Sequence, residues 1–237
     1  MEKAQLLYEG KAKRLYKTDE QGILWVEYKD SATAFNGEKK EEISGKGRLN
    51  NQITSLLFEK LKEAGIASHF VKQLSEREQL VREVSIIPIE VVVRNIVAGS
   101  MAKRLGLEEG QVIQQPVVEF YLKDDELGDP LITDDHVDML ALATEQEVAA
   151  LKDKARTINK VLIGFFQDIG VDLVDFKIEF GRDENGEILL ADEISPDTCR
   201  LWDKETKQKL DKDVFRRNLG NLTDAYELIL SRLGGQN

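Results

Sequence analysis

The stretch VDFKIEFG, residues 174 to 181, holds the densest set of reactive side chains in the chain. In an extended segment alternate residues share a face. Asp175, Lys177 and Glu179 then line one side, and Phe176, Ile178 and Phe180 the other. The aromatic side belongs in a core. The charged side sets two carboxylates and an ammonium in a row at steps of roughly 7 Å, twice the rise per strand residue. Taken alone, such a face also suits a solvated edge strand, where charge discourages aggregation. The next stretch, EILLADEIS at 187 to 195, is apolar until Asp192 and Glu193, and the Asp-Glu-Asn-Gly run before it predicts a hairpin turn. An acid at the end of the second strand then comes near the acids of the first. Carboxylates on neighbouring strands, spaced by a lysine, suit a hard cation. Mg²⁺ takes oxygen ligands, typically one or two carboxylates completed by phosphate oxygens. A lysine beside it stabilises a transferring phosphate as a point charge.

Three further stretches fit anions. In YEGKAKRLY, residues 8 to 16, Lys11 and Lys13 share a face if extended, and Gly10 lets a phosphate approach backbone N–H groups. With the acid pair, these are the parts of an ATP site built around Mg²⁺; alone, GKAK is equally a solvated hairpin. SGKGR at 44 to 48 lacks P-loop spacing, and no dinucleotide fingerprint occurs. In VVVRNIVAGS, Arg94 emerges from an apolar strand ahead of Gly99 and Ser100, with Ser100 predicted to cap a short helix closed by Gly106. An arginine at a helix start makes a phosphate seat, although a structural ion pair is the alternative. Arg200, after SPDTC, adds a guanidinium; Cys199 beside it reads as a bystander because no histidine is near in sequence. YLKDDELGDPLITDDH, residues 121 to 136, reads as a long acidic loop, either mobile surface or a segment over the site with Lys123 and Asp129 facing a polar substrate. His69 and His136 read as structural.

These residues need elements to hold them. Residues 5 to 35 alternate as strands, and the chain from 69 to 99 is mostly strand. Leu49, Ile53, Leu56, Leu57 and Leu61 keep helical spacing over 46 to 64, with Gly65 as the stop. A second amphipathic helix spans 145 to 169 on Val148, Leu151, Ala155, Ile158, Leu162, Phe165, Phe166 and Ile169. A last helix is predicted from about 211 to 233. Strands are not regularly separated by helices, so the class is α+β rather than doubly wound. The 237 residues allow one large domain or two modest ones, with a boundary near 80 to 90.

Hydrophobic content of 41% with 32% charged residues suits a globular chain. The net charge of -11 disfavours nucleic-acid binding, which needs a basic face, but not a small anion held by local charge. The apolar run at 86 to 93 is too short to span a bilayer, and the N-terminus carries no signal-peptide pattern, so a cytoplasmic protein is expected. One cysteine fits a reducing compartment, and with two histidines it argues against zinc.

IIPIEVVVRNIVAGS and VDFKIEFG, in that order, resemble the two signature segments of the phosphoribosylaminoimidazole-succinocarboxamide synthase (SAICAR synthetase) family. YEGKAKRLY, TAFNG, KDDELGDP and DEISPDTCRLWD resemble it too, so the resemblance covers essentially the whole chain. It implies an ATP-dependent ligase of purine synthesis that joins carboxyaminoimidazole ribotide to L-aspartate, giving SAICAR, ADP and phosphate. It also implies an α+β fold with a kinase-like ATP cleft between a small N-terminal sheet domain, 1–83, and a larger C-terminal domain, 84–237. Gly10, Lys11, Ala12 and Lys13 are expected over the ATP phosphates. Val81, Arg82, Val84 and Ile86 are expected by the adenine. Lys177 is expected on the transferring phosphate, with Glu179 and Asp192 holding Mg²⁺. Arg94, Ser100 and Arg200 match positions for the ribotide phosphate or carboxylate, and Asp175 and Asp197 line the same cleft. Lys123 and Asp129 are expected near aspartate. Asn36 stands where some relatives carry an acid. The proton of the aspartate amine goes either to Asp175 or to phosphate oxygens. A homodimer is implied. A small-molecule kinase and a nucleotide-binding regulatory module are the rival readings, which magnesium-dependent turnover with an amine separates.

Overall fold

The computed structural model describes residues 2–34 and 37–234. The first sheet is antiparallel. It holds β1 (Lys3–Glu9), β2 (Lys13–Thr18), β3 (Ile23–Tyr28), β6 (Phe70–Gln73) and β7 (Glu78–Arg82) in the order β1-β2-β3-β7-β6. Its pattern follows from β3, ILWVEY, in which Leu24, Val26 and Tyr28 turn inward and meet Val81 and Leu15. A separate hairpin of β4 (Ser31–Ala34) and β5 (Lys39–Glu42) leads to α1 (Lys46–Glu63). Helix α1 buries Leu49, Ile53, Leu57 and Leu61, with Leu56 half-buried, and Gly65 follows it at φ +81°. Gly47 is required at its first turn: a Cβ there would lie 2.7 Å from the Tyr28 carbonyl oxygen at the end of β3.

The second sheet holds β8 (Ser85–Ile96), β9 (Val112–Leu122), β10 (Leu131–Ile132), β11 (Val171–Arg182), β12 (Ile188–Ala191) and β13 (Cys199–Asp203). The order is β10-β9-β8-β11-β12, with β13 also on β11. One face packs on α4 (Glu145–Asp168): Val91, Val93, Phe120, Phe176, Ile178 and Phe180 meet Val148, Leu151, Ala155, Ile158, Leu162 and Phe166 in the principal core. Phe165 and Ile169 are only partly buried at its margin. Helix α4 begins with a capping box, in which the Thr144 side chain accepts from the Glu147 amide and the Glu147 carboxylate accepts from the Thr144 amide.

The far edge of β11 is divided. Its first half pairs with β13 as far as Phe176, and its last residues pair with β12 from Glu179. At the division the Lys177 amide donates to the Thr198 carbonyl at 2.8 Å. The chain between β12 and β13, residues 192–198, therefore leaves the sheet opposite Lys177.

Three sequence expectations change. The helix predicted over 211 to 233 is two, α5 (Asp213–Arg216) and α6 (Leu222–Arg232). Asn218 and Gly220 take positive φ between them and Leu219 is exposed, because the chain turns a corner that periodicity does not register. The acidic loop at 121 to 136 is shorter than expected, since β9 runs to Leu122, β10 pairs back onto it, and α3 (Asp134–Met139) follows. Ser100 is not a helix cap: α2 (Gly99–Leu105) begins one residue earlier, with Ala98 at the N-cap and no side-chain cap. Among the described residues no helix is long and apolar enough to cross a membrane.

Candidate active site

A cleft of about 830 Å³ separates the first sheet from the charged face of the second. One end is apolar, with Leu15, Leu24, Val26, Val81, Val84 and Ile86 around it. The turn between β1 and β2, carrying Gly10, Lys11 and Ala12 with Lys13 opening β2, overhangs the middle. Arg94, Asp175, Arg200, Lys212 and Arg216 crowd the other end. A second cavity, about 760 Å³, opens beside α4 and Trp202 and contains none of the residues singled out from the sequence.

The register of the second sheet builds the cleft floor. Opposite β11, Asp175 faces Arg94, Lys177 faces Val92 and Glu179 faces Glu90. Two carboxylates directly opposite one another repel. Lys177 relieves this, its Nζ lying 2.7 Å from Glu90 and 2.8 Å from Glu179, and Lys123 adds a contact of 2.9 Å to Glu179. Burial works against the Lys177 charge, but Glu179, Asp192 and Glu90 outweigh it and raise its pKa well above the usual lysine range. Asp192 sits just beyond β12 at φ +60° and pairs with Lys13 from the overhanging loop. Burial alone would raise the Asp192 pKa, yet Lys13 and Lys177 hold it below the ordinary carboxylate range.

At the guanidinium end Arg94 donates to Glu119 at 2.8 Å, Asp175 at 2.9 Å, Tyr121 at 3.0 Å and Ser100 at 3.1 Å. Arg200 reaches Asp175 at 2.9 Å and Asp213 at 3.0 Å. Asp175 thus clamps two guanidiniums. Gly99 matters here, because its φ is +55° and a Cβ would collide with the Arg200 guanidinium. Deeper in, Lys46 is fully buried and lies 2.7 Å from Asp197, which also accepts from the Tyr226 hydroxyl at 2.6 Å.

Comparison with known proteins decides what this cleft belongs to. The SAICAR synthetase family profile matches residues 6–233. The chain belongs to the SAICAR synthetase family. It is 73% identical to the phosphoribosylaminoimidazole-succinocarboxamide synthase of Lysinibacillus sphaericus, with 100% of both chains covered. The crystal structure of that synthase from Ehrlichia chaffeensis superposes at a TM-score of 0.96 with 44% identity, covering 98% of this chain and 100% of the other. A SAICAR synthetase in complex with ADP superposes at 0.94 with 47% identity, covering 97% and 98%.

In this member of the SAICAR synthetase family, most of the residues singled out from the sequence come together in one cleft. Gly10, Lys11, Ala12, Lys13, Val81, Arg82, Val84, Ile86, Arg94, Lys123, Asp129, Asp175, Lys177, Glu179, Asp192, Asp197 and Arg200 all line it. Ser100 does not; it is exposed and touches the site only through Arg94. Asn36 lies outside the described residues. His136 serves in the capping of α3. His69, read as structural, also lines the cleft, with its Nε2 3.1 Å from the Asp192 carbonyl; burial and then Lys13 push its pKa down to about 4. Glu193, read from the sequence only as the neighbour of Asp192, lines the cleft too; Glu90, Lys212 and Arg216 also line it, and Lys46 backs it, without having been singled out. Glu90, two residues before Val92 in the same strand as Arg94, was the legible one, since the period of two puts it on Arg94's face.

Among the described residues no group of three or more His, Cys, Asp or Glu side chains is close enough to hold a metal ion. Glu179 and Asp192 remain as two hard oxygen donors facing one cleft, each paired with lysine ammoniums. That donor type fits Mg²⁺, which needs only one or two carboxylates when phosphates complete the shell.

Proposed function

We propose that the cleft carries out the family's reaction through an acyl phosphate, with ATP bound under the loop at Gly10–Lys13 and the second-sheet face as the chemical floor. The reaction class follows from family membership: this is a carbon–nitrogen ligase of purine biosynthesis that forms SAICAR with ATP. A carboxylate does not react directly with an amine, because oxide is a poor leaving group. A carboxylate oxygen of carboxyaminoimidazole ribotide attacks the γ-phosphorus of ATP, the bond to the bridging oxygen breaks, and ADP leaves. The aspartate amine then attacks the acyl carbon, the carbon–nitrogen bond forms, and phosphate departs.

The observation that carries this placement is the row Asp175, Lys177, Glu179 lying between an apolar pocket and a guanidinium end. Val81, Arg82, Val84 and Ile86 suit the adenine. Lys11, Lys13 and Lys177 suit the phosphates, where charge moves during transfer. Arg94 and Arg200 suit the anionic groups of the ribotide, with Ser100 orienting Arg94. Asp197 stands behind them, and Lys123 and Asp129, also in the cleft lining, suit the amino acid. Both oxygens of Asp175 already accept from guanidiniums. That supports a role in orienting Arg94 and Arg200, leaving phosphate oxygens to take the amine proton. Glu179 and Asp192 would hold Mg²⁺, which supplies charge neutralisation for the polyphosphate. The lobe boundary falls at 83/84, between the end of β7 and the start of β8. The protein works in the cytoplasm, as a homodimer that light scattering would register as twice the mass of one chain.

The test is ADP release by the purified chain with Mg-ATP, leaving out the ribotide or L-aspartate in turn. Rapid ADP formation with both, matched by a succinocarboxamide product, is expected. Slow ADP release with the ribotide alone would mark an acyl phosphate that hydrolyses. No ADP under any combination, in folded protein that binds ATP, overturns the proposal.

A further inference from the structure

Asp192 is the first residue past β12. Its neighbour Ala191 pairs with Glu179 on β11, and Asp192 then takes φ +60° as the chain leaves the sheet. That left-handed conformation is uncommon in a residue with a side chain, and it persists where the surroundings hold it. It matters here, because the backbone at 192 decides where the carboxylate points. Lys13 holds the carboxylate itself. A cation at Asp192 competes for the same oxygens, so Lys13 is not what fixes the residue once a cation has bound.

His69 holds the other end of the residue. Its Nε2 lies 3.1 Å from the Asp192 carbonyl oxygen. A carbonyl only accepts, so Nε2 carries the proton and the ring donates. This bond leaves both carboxylate oxygens available to a cation.

The ring is itself fixed. His69 is buried and packs edge-on against Phe58 of α1, with ring centres 5.6 Å apart at 72°. Its amide donates to the Leu190 carbonyl at 2.8 Å, and its carbonyl accepts from the Arg82 amide at 2.7 Å. Ser68 beside it makes a parallel bridge with Leu190. His69 thus grips residues 190 and 192 at the end of β12, and it is tied to the last residue of β7 in the first sheet. It is a joint between the two sheets, set against Asp192.

We propose that His69 is a positioning residue, whose Nε2–H holds the Asp192 backbone so that the carboxylate meets the cation of the polyphosphate. This rests on the reading above that Asp192 holds Mg²⁺, and deepens it by naming the residue that aims Asp192.

The full chain tests it in two ways. The first is Mn²⁺ binding in the presence of ADP, followed by electron paramagnetic resonance, in wild type, H69F, H69Q, D192N and the H69F/D192N double variant. Phenylalanine keeps a ring against Phe58 and loses the donor; glutamine restores an N–H donor. H69F should raise the Mn²⁺ Kd by about tenfold, the low end for loss of a hydrogen bond that orients a metal ligand. H69Q should recover most of that loss. In the D192N background H69F should add no more than about twofold, because the two residues act as one unit. An H69F effect of equal size with and without Asp192 would overturn the proposal, since His69 would then act elsewhere. D192N weakened with H69F unchanged would overturn it alone and spare the metal reading. Unchanged Mn²⁺ binding in D192N would sink the metal reading and this proposal with it. None of these readouts needs turnover, so they stand apart from the test of the ligase reaction. The second experiment uses the wild-type fold and holds even if H69F does not fold. Nitrogen-15 NMR of the imidazoles reports the tautomer, and with two histidines in the chain H136Q assigns them. His69 should carry its proton on Nε2 and exchange it slowly; a proton on Nδ1 would overturn the proposal.

Discussion

Lys177 carries two burdens, and they separate by experiment. Its ammonium keeps Glu90 and Glu179 from facing each other unneutralised, and it lines the cleft in which we propose the phosphate is transferred. K177A leaves Lys123 on Glu179, so circular dichroism should show a retained fold with a modest fall in melting temperature. Turnover should drop by about 100-fold or more, the usual size for loss of one electrostatic stabiliser. Wild-type-like turnover would remove Lys177 from the chemistry. Asp192 is the second residue to test. Its carboxylate is held by Lys13, so a cation must compete with an ammonium for it. D192N should move the magnesium titration of activity to clearly higher concentration, and an unchanged midpoint would take Asp192 out of the metal site.

At the level of elements, α4 is the brace under the cleft floor, and its start is pinned from two sides. Glu147 accepts from the Thr144 amide at 2.8 Å and from Arg182 of β11 at 2.6 and 3.0 Å. Arg182 first, then the Thr144 amide, hold its pKa down to about 2, against an ordinary value of 4.5. A carboxyl depressed in the folded state stabilises above its unfolded pKa and loses that contribution as pH falls through its folded value. The stability gap between wild type and E147Q should therefore be constant at about 1–2 kcal/mol above pH 5. It should shrink steadily as pH drops below 4.5 towards 2. Urea titrations at stepped pH measure it, and a gap that stays flat through this window would show that the carboxylate is not what pins the helix.

The whole molecule brings opposite charges together from distant parts of the chain. Lys13 and Asp192 are 179 residues apart, and Lys11 and Asp125 are 114 apart. Each pair ties the first sheet or its loop to the second. Mg-ATP, which we propose binds between them, should stabilise both sheets together. At a hundred times its Kd a ligand adds about 2.7 kcal/mol, which for a chain of this size is roughly 5–10 °C in melting temperature. Thermal shift with Mg-ATP should show a single transition moving by that amount. A split transition, with only one part stabilised, would mean that the nucleotide touches one lobe alone.

Much of this was legible from residues 174 to 181. The period of two put Asp175, Lys177 and Glu179 on one face and three apolar side chains on the other, and the β11 register agrees. The spacing of Leu49, Ile53, Leu57 and Leu61, and of Val148 through Phe166, likewise located α1 and α4. These signals are local: a strand or helix repeats every two or 3.6 residues, so a dozen residues suffice to read it. Other features depended on which elements meet. The break between α5 and α6 comes at positive φ at Asn218 and Gly220, with Lys212 just before α5 and Arg216 at its end both lining the cleft. Lys46 looks like an ordinary first-turn lysine until α1 packs down and buries it against Asp197. The sequence by itself determined the elements and the charged face of β11, because periodicity is written in neighbours. Only the tertiary structure decided which charges share a carboxylate, because that depends on pairings between segments far apart in the chain.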